Sequence, residues 1–235
     1  MTGLLVSVRS AVEARLALEG RADVVDVKEP RNGALGAADP AVWREVLDVL
    51  RGQVTASVAL GELVDDEVEG LARKARGFGF AKIGFAGCER RSDWRGRWER
   101  VIEELPTGVE AVPVAYADWR NAASPEPVET LGLAQESAAR MVLIDTFDKR
   151  AGGLLDVLPL EKLRAIAGQA AKRGVQLALA GSLVAESIEQ VLELAPAYVG
   201  VRGAACVGGR DGAIDLGRVK SLVQVVRGAR RKAAS

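Results

Sequence analysis

Short apolar runs alternate with longer stretches of helical periodicity along the whole chain. Each run is rich in Val, Ile, Leu or Ala and has the length of a buried strand. The predicted strands cover residues 4–8, 23–28, 54–59, 80–85, 111–116, 141–145, 176–181 and 198–203. The predicted helices cover residues 10–19, 39–50, 64–77, 93–104, 125–139, 159–173, 184–194 and 215–228. The pattern therefore predicts eight strand–helix pairs.

Regular alternation of strands and helices indicates a parallel sheet with its helices on the outside. Eight such pairs in 235 residues fit the α/β class and a closed (β/α)8 barrel, the TIM barrel. A doubly wound open sheet is the alternative. No Pro/Ser-rich linker divides the chain, so we expect a single barrel domain over residues 1–235, with residues 229–235 as a frayed tail.

Composition and charge narrow the class of protein. Hydrophobic residues make up 49% of the chain and charged residues 27%, as in ordinary globular proteins. The formal net charge is +0, which argues against a large nucleic-acid surface. No apolar run is long enough to cross a bilayer, and the first residues lack the pattern of a signal peptide. We therefore expect a cytoplasmic protein with neither a nucleic-acid nor a membrane partner, and a homo-oligomer formed through the outer helices.

The chain contains no histidine, and this absence limits its chemistry. It excludes Ser-His-Asp and Cys-His nucleophile systems and the commonest metal ligand. The two cysteines, Cys88 and Cys206, lie far apart in sequence and form neither a disulfide framework nor a zinc motif. We expect them to be small buried hydrophobes, and we expect no metal and no cofactor. Acid–base chemistry is left to Lys, Asp, Glu, Tyr, Cys or Arg.

The stretch "ADVVDVKEP" places an acid and an amine in a run that is otherwise typical of a buried strand. Asp26 and Lys28 are two residues apart, so their side chains point to the same side of the strand. In a barrel of this kind the catalytic groups lie at the carboxyl ends of the strands. The two residues are therefore candidates for a catalytic site.

Other strand ends carry ionisable groups of the same kinds. Lys82 lies within the fourth strand, and Asp145 ends the sixth, four residues before Lys149. A single lysine near a strand end is more often an exposed edge residue. A buried lysine is costly unless it is paired, however, and three lysines with carboxylates around one ring favour a catalytic set. Polar residues nearby are Ser7, Tyr116, Asp118 and Asp148.

A buried lysine favours nucleophilic amine chemistry. The free side chain has a pKa of about 10.4, and burial together with a second ammonium lowers that value towards neutrality. The neutral amine can then attack a carbonyl and form a Schiff base, which acts as an electron sink. Carboxylates and other lysines can move the protons. The predicted ring thus matches the requirements of a class I aldolase-type site.

The ends of the last two predicted strands contain small residues and an arginine that suit phosphate binding. These residues are Gly181 and Ser182 at the end of the seventh strand and Arg202, Gly203 and Ala204 at the eighth. Loops at these positions of a barrel often hold phosphate on backbone N–H groups. Tight turns that bind nothing are the alternative. The Gly- and Ala-rich loop 29–40 is either a cover over the site or a structural connection.

Several motifs together resemble a known family over nearly the whole chain. They are "LLVSV", "ADVVDVKEPRNGALGA", "AKIGFAG", "IDTFDK", "LAGSL" and "GVRGAAC", in this order. They are similar to those of the (5-formylfuran-3-yl)methyl phosphate synthase family, also called 4-(hydroxymethyl)-2-furancarboxaldehyde-phosphate synthase. The resemblance implies a (β/α)8 lyase of methanofuran biosynthesis. Its members condense two molecules of glyceraldehyde 3-phosphate into a furan phosphate, with loss of phosphate and water.

The resemblance also implies roles for five residues. Lys28 matches the Schiff-base lysine, and Lys82 matches the lysine that accepts a proton. Asp145 and Lys149 match an acid and a lysine after the sixth strand, and Asp26 matches the acid of the first motif. The implied partner is a phosphorylated triose.

Three alternatives stay open. One is a class I aldolase for a different sugar phosphate, which shares the lysine adduct but gives another product. Another is a metal-free decarboxylase barrel with a D-x-K-x-x-D pattern, which is weakened because residue 31 is Arg. The third is a non-catalytic phosphate-ligand binder, which forms no borohydride-stable adduct.

Overall fold

Eight parallel strands form a closed barrel in the computed structural model, which describes residues 1–232. Each strand pairs with the next, and the first strand pairs with the eighth in parallel. The strands are β1 (Gly3–Val8), β2 (Val24–Val27), β3 (Thr55–Glu62), β4 (Phe80–Gly84), β5 (Glu110–Tyr116), β6 (Met141–Asp145), β7 (Gln176–Leu179) and β8 (Tyr198–Val201). The predicted barrel is confirmed, and its closure excludes the open sheet.

Helices connect the strands and surround the barrel. They are α1 (Ala11–Glu19), α2 (Pro40–Leu50), α3 (Val68–Ala72), α4 (Trp94–Glu103), α5 (Trp119–Ala122), α6 (Pro127–Glu136), α7 (Leu154–Val157), α8 (Leu160–Lys172), α9 (Ala185–Leu192) and α10 (Leu216–Lys232). The start of α2 carries two residues that favour a helix N-terminus. Asp39 accepts a hydrogen bond from the backbone N–H of Ala41, and Pro40 occupies the first turn.

Some element bounds differ from those predicted. The helix predicted over 64–77 is a short one, Val68–Ala72, because turns occupy both sides of it. A short antiparallel hairpin, β9 (Cys206–Val207) and β10 (Ala213–Ile214), was not predicted and lies in the loop after β8. Helix α10 continues to Lys232 rather than ending at 228. Of the expected frayed tail, residues 233–235 lie outside the described part of the chain.

The alternation of side chains along each strand separates two apolar layers. The larger layer lies between the strands and the helices and includes Val25, Ile83, Trp43 and Trp98. A smaller cluster fills part of the barrel interior. On β4 the buried Ile83 belongs to the outer layer, whereas its neighbour Lys82 points into the barrel. The barrel interior therefore holds both apolar and ionisable side chains.

No helix within residues 1–232 combines the length and the apolar character needed to cross a membrane.

Candidate active site

A row of polar residues crosses three neighbouring strands at one level of the barrel. Ser7 on β1 is in register with Asp26 on β2, and Asp26 is in register with Ser57 on β3. All three side chains are buried. Register partners on adjacent strands point to the same face, so the row faces the barrel interior. Asp26 is the ionisable residue of this row, so it places a carboxyl group in the barrel interior.

Lys82 supplies the counter-charge for Asp26. Its Nζ donates a hydrogen bond of 2.7 Å to Asp26 Oδ2, and Ser7 Oγ donates to the same oxygen at 2.8 Å. Asp26 is completely buried, and Lys82 is only 4% exposed. Burial alone would raise the pKa of Asp26, but the charges of Lys82 and Lys28 hold it below its ordinary value. Asp26 is therefore an ionised carboxylate in the centre of the barrel.

Lys28 differs from the other two lysines of the ring. It lies just beyond the end of β2 and is 8% exposed, and no residue in the described part of the chain makes a hydrogen bond with its Nζ. Burial lowers its pKa to about 7, and the ammonium groups of Lys82 and Lys149 add to this effect, while Asp145 opposes it. A large share of Lys28 is thus an unbound neutral amine near pH 7.

Asp145 and Lys149 form a second buried ion pair at the end of β6. Lys149 Nζ donates to Asp145 Oδ1 at 2.6 Å and to Thr146 Oγ1 at 3.0 Å. Burial would raise the pKa of Asp145, but Lys149 and Lys28 lower it. The four-residue spacing seen in the sequence therefore places the lysine next to the acid. All five predicted catalytic residues are gathered within one barrel, from Asp26 and Lys82 in its interior to Asp145 and Lys149 at the carboxyl end of β6.

A cavity of about 420 Å³ opens at this end of the barrel. Lys28, Lys82, Asp145 and Lys149 are among the residues that line it. Its inner part is apolar, with Phe80, Val112, Met141 and Leu143 in its wall. Its volume falls within the range of small-molecule sites. The cavity can thus take a small ligand with one polar end and a more apolar part.

The loop after β7 lines the cavity and has backbone N–H groups without acceptors in the described part of the chain. Gly181 and Ser182 line it, both with positive φ (112° and 49°). Among the described residues, no backbone or side-chain acceptor takes the N–H of either residue. Gly203 and Ala204, after β8, line the same part of the cavity. These four predicted residues are therefore brought together.

Arg202 lines the cavity as well, but its guanidinium is fully engaged by protein acceptors. Nη1 donates to Glu13 Oε2 at 2.9 Å and to the Ser7 carbonyl at 3.0 Å. Nη2 donates to Glu13 Oε1 and the Gly212 carbonyl, and Nε donates to the Arg210 carbonyl. An arginine has five N–H donors, so none is left over. Phosphate binding by this side chain stays a prediction, while its contacts hold the β8 loop in place.

Arg218 is a cavity residue that the sequence analysis missed. It lies in the first turn of α10, lines the cavity and is exposed. Its backbone N–H is capped by Asp215, and in the described part of the chain its guanidinium has no hydrogen-bond partner. The sequence signal that could have pointed to Arg218 is Asp215, a residue type that favours a helix N-terminus. A helix that begins there has Arg218 in its first turn, next to the loop after β8.

The loop 29–40 lies beside the mouth of the barrel. Arg210 Nη2 donates to the carbonyls of Gly33 and Pro30, at 2.8 Å and 3.3 Å. Leu35 is buried in the cluster of the barrel interior. The loop is thus attached to the segment after β8, and its role as a cover stays a prediction.

A pair between a half-buried acid and a buried phenol, Glu62 and Tyr116, was also missed. Tyr116 donates a hydrogen bond of 2.5 Å to Glu62 Oε1, and the N–H of Ala86 donates to Oε2 at 2.8 Å. Burial raises the pKa of Glu62 to about 7 and that of Tyr116 well above its usual value. Glu62 follows a break in the register between β3 and β4, so the sequence pattern gave no sign that it points inwards.

Both cysteines are buried and free, as expected for small hydrophobes. Burial raises the pKa of Cys88 to about 12 and also raises that of Cys206. Neither thiol is therefore a reactive nucleophile at neutral pH.

Comparisons with known proteins identify the family. The chain is 32% identical over 231 residues to the (5-formylfuran-3-yl)methyl phosphate synthase of Methanothermobacter thermautotrophicus, covering 95% of this chain and 98% of the relative. It is 33% identical over 234 residues to the synthase of the same name from Methanopyrus kandleri, with the same two coverages, 95% and 98%.

A solved structure, phosphoribosyl anthranilate isomerase from Thermotoga maritima, is similar in fold, with a TM-score of 0.70 and 14% identity over 97% of this chain and 100% of that chain. At this identity the likeness shows the fold alone. Residues 4–223 match the family described as 4-HFC-P synthase. The chain therefore belongs to the 4-HFC-P synthase family.

Proposed function

We propose that this protein is a Schiff-base (5-formylfuran-3-yl)methyl phosphate synthase, a carbon–oxygen lyase acting on phosphates in methanofuran biosynthesis. It condenses two molecules of glyceraldehyde 3-phosphate. The atoms balance when one inorganic phosphate and two molecules of water leave. The names of its relatives support the product, and the site supports the chemistry.

The observation that carries the proposal is the state of Lys28. Its amine lies in the cavity, has no hydrogen bond within the described residues and has a pKa of about 7. The neutral amine adds to the substrate carbonyl, and water leaves as the imine forms. The two other lysines are bound to carboxylates at 2.7 Å and 2.6 Å. Lys28 is therefore the nucleophile of the set.

The two ion pairs supply the proton transfers in this proposal. Lys82 first passes a proton to Asp26 through their hydrogen bond, and its neutral amine then accepts the proton from the carbon next to the imine. Asp145 and Lys149, which face the same cavity, assist the aldol addition, the loss of water and ring closure. The apolar inner wall suits the furan ring and limits access of water to the intermediates.

Phosphate is bound at the β7 and β8 loops in this proposal. Gly181 and Ser182, whose N–H groups have no acceptor among the described residues, line the cavity together with Gly203 and Ala204. Such backbone donors commonly bind phosphate at this position of a barrel. Arg218 adds a positive charge, and Arg202 holds the loop through Glu13.

Intact-protein mass spectrometry after incubation with glyceraldehyde 3-phosphate and borohydride tests the proposal. We expect a reduced adduct on Lys28 in the wild type and a furan aldehyde in the supernatant when borohydride is omitted. Lys28→Ala and Lys28→Arg should lose both, whereas Lys74→Ala, at an exposed lysine, should retain both. An adduct without furan would favour an aldolase for another substrate. No adduct in the wild type would favour the decarboxylase-like or binding alternatives.

A further inference from the structure

The carboxylate of Asp118 binds the loop that carries Lys149. Its Oδ1 accepts a hydrogen bond of 2.7 Å from the N–H of Phe147, and its Oδ2 accepts one of 2.8 Å from the N–H of Asp148. Asp118 follows β5 and Phe147 follows β6, and these two strands are paired in the barrel. Phe147 and Asp148 are the two residues before Lys149. Asp118 therefore fixes the backbone from which the lysine side chain starts.

This contact differs from the local role that the position of Asp118 suggests. The residue directly precedes the short helix α5, where an aspartate commonly caps the helix N-terminus. Its side chain makes no cap hydrogen bond there, and the loop after β6 uses both of its oxygens instead. Two successive N–H groups around one carboxylate form a concave anion-binding arrangement. The carboxylate thus serves the loop after β6 and not the helix that follows Asp118.

Residues 147–151 have few other attachments to the barrel. Within the described chain, no other hydrogen bond joins their backbone to a different segment. The ring of Phe147 packs against that of Tyr116, with 5.3 Å between the ring centroids. Asp148 accepts its hydrogen bonds from Arg150, inside the loop. The two bonds to Asp118 are therefore the main attachment of this backbone.

We propose that Asp118 is a positioning residue, which keeps Lys149 on Asp145 at the cavity wall by binding the backbone of the loop. Lys149 Nζ donates to Asp145 Oδ1 at 2.6 Å, and both residues line the cavity. Asp118 does not line the cavity, so it acts through Lys149 and not on the substrate. Holding a long side chain in one geometry costs rotamer entropy, and a pre-organised backbone lowers the total cost. The inference rests on the proposed function and adds a residue that sets the geometry of one of its proton-transfer pairs.

Lys28 reports the position of Lys149. The charged groups that act on its amine are Asp145, Lys82, Lys149 and Asp26. The ammonium of Lys149 lowers the pKa of Lys28, and Asp145 raises it. Release of the loop would move that ammonium away and leave Asp145 unpaired, and both changes raise the pKa of Lys28. Loss of the negative charge of Asp118 by itself acts in the opposite direction, so the sign of the change separates the two effects.

A double-mutant cycle tests this inference. The variants are Asp118→Asn, Lys149→Met and the double variant. Asp148→Asn is the matched control, because it removes a carboxylate from the same loop and leaves the backbone N–H of residue 148 on Asp118. The readouts are the midpoint of the pH profile for borohydride trapping of glyceraldehyde 3-phosphate on Lys28, located by peptide mapping, kcat for furan formation, and the melting temperature.

We expect Asp118→Asn to raise the midpoint by up to about one pH unit, because an amide N–H group in place of one oxygen repels a backbone N–H and loosens the loop. Lys149→Met should raise the midpoint at least as much, and the double variant should match Lys149→Met alone. The kcat of Asp118→Asn should fall about tenfold to hundredfold, since Lys149 is displaced. Asp148→Asn should retain kcat and should not raise the midpoint.

An unchanged or lower midpoint in Asp118→Asn would overturn the inference. So would a further rise when Asp118→Asn is added to Lys149→Met, or a lower melting temperature with the midpoint and kcat unchanged, which would make Asp118 a structural residue. If Asp118→Asn does not fold, Asp118→Ser, which keeps a smaller oxygen acceptor, replaces it, and failure of both to fold would also reject a positioning role. In these cases the wild type still forms its adduct on Lys28, so the proposed function stands. No adduct in the wild type would remove both.

Discussion

Lys82 donates a hydrogen bond of 2.7 Å to Asp26 in the middle of the barrel, where the two side chains are 5% and 0% exposed. Taking two charges out of water is costly, and the pair offsets that cost only while both members are present. The pair is thus both a candidate proton-transfer device and a point at which the fold is sensitive.

Breaking this pair from one side should destabilise the protein. We expect Asp26→Asn to lower the free energy of unfolding by roughly 3–5 kcal/mol, because it leaves Lys82 buried without a counter-charge. The double variant Asp26→Asn/Lys82→Met should cost less than the sum of the single variants. Urea unfolding would measure the free energy of unfolding of Asp26→Asn, Lys82→Met and the double variant. Additive effects would contradict the coupling, and Glu193→Gln, which breaks the exposed pair with Arg164, serves as the control with little change expected.

The pH dependence of adduct formation should follow Lys28. Its pKa is about 7, so the trapping rate should rise about tenfold per pH unit below that value and level off above about 8. Stopped-flow or quench measurements over this range would show the profile. Asp145→Asn should shift the rise to lower pH, because Asp145 raises the pKa of Lys28. A rate that still increased up to pH ~10 would indicate an ordinary lysine.

The stability of the fold should also depend on Lys28, in a defined pH window. Its pKa is lowered from 10.5 to about 7, so the unfolded chain holds a proton that the folded protein has lost between these values. The contribution of Lys28 to the free energy of unfolding therefore rises as the pH increases from about 7 to 10.5. We expect Lys28→Met to stabilise the protein by about 1–4 kcal/mol at pH 7 or below and by less towards pH 10. Thermal unfolding at several pH values would check this, and a gain independent of pH would contradict it.

Gly84 should tolerate no side chain. A Cβ added there would lie 2.1 Å from Glu62 Oε2 and 2.6 Å from the Tyr116 hydroxyl. We expect Gly84→Ala to displace the acid–phenol pair and to destabilise the protein by roughly 1–3 kcal/mol. Gly168→Ala in α8, where a Cβ meets nothing within 4 Å, should be neutral or slightly stabilising. Equal melting temperatures for the two variants would contradict the expected clash.

Arg218 should matter for binding more than for the chemical step. We expect Arg218→Ala to raise KM for glyceraldehyde 3-phosphate roughly tenfold with a smaller change in kcat, because in the proposed function its charge attracts the phosphate throughout the reaction. Lys220→Ala, at an exposed residue of the same helix outside the cavity wall, is the control. A large fall in kcat with an unchanged KM would assign Arg218 to the chemistry instead.

The periodicity of the sequence predicted much of the fold and part of the candidate site. The alternation of runs predicted the barrel, and the two-residue spacing of Asp26 and Lys28 placed both on the inner face. Local patterns could not show that Glu62 turns inwards, because a break in the β3–β4 register changes the alternation just before it. They also could not show that the guanidinium of Arg202 forms an ion pair with Glu13, because these residues lie at opposite ends of the sequence.

The same long-range contact has a consequence for the making of the protein on the ribosome. Arg202 donates to the Ser7 carbonyl, and β1 pairs with β8, so the barrel closes only when nearly the whole chain has been synthesised. Until then the nascent chain has neither the β8 loop nor a closed wall around its lysines. Since non-local pairing is slow to form, closure of this seam is expected late in folding. Burial is what lowers the pKa of Lys28, so that pKa reaches about 7 only after the barrel has closed around it.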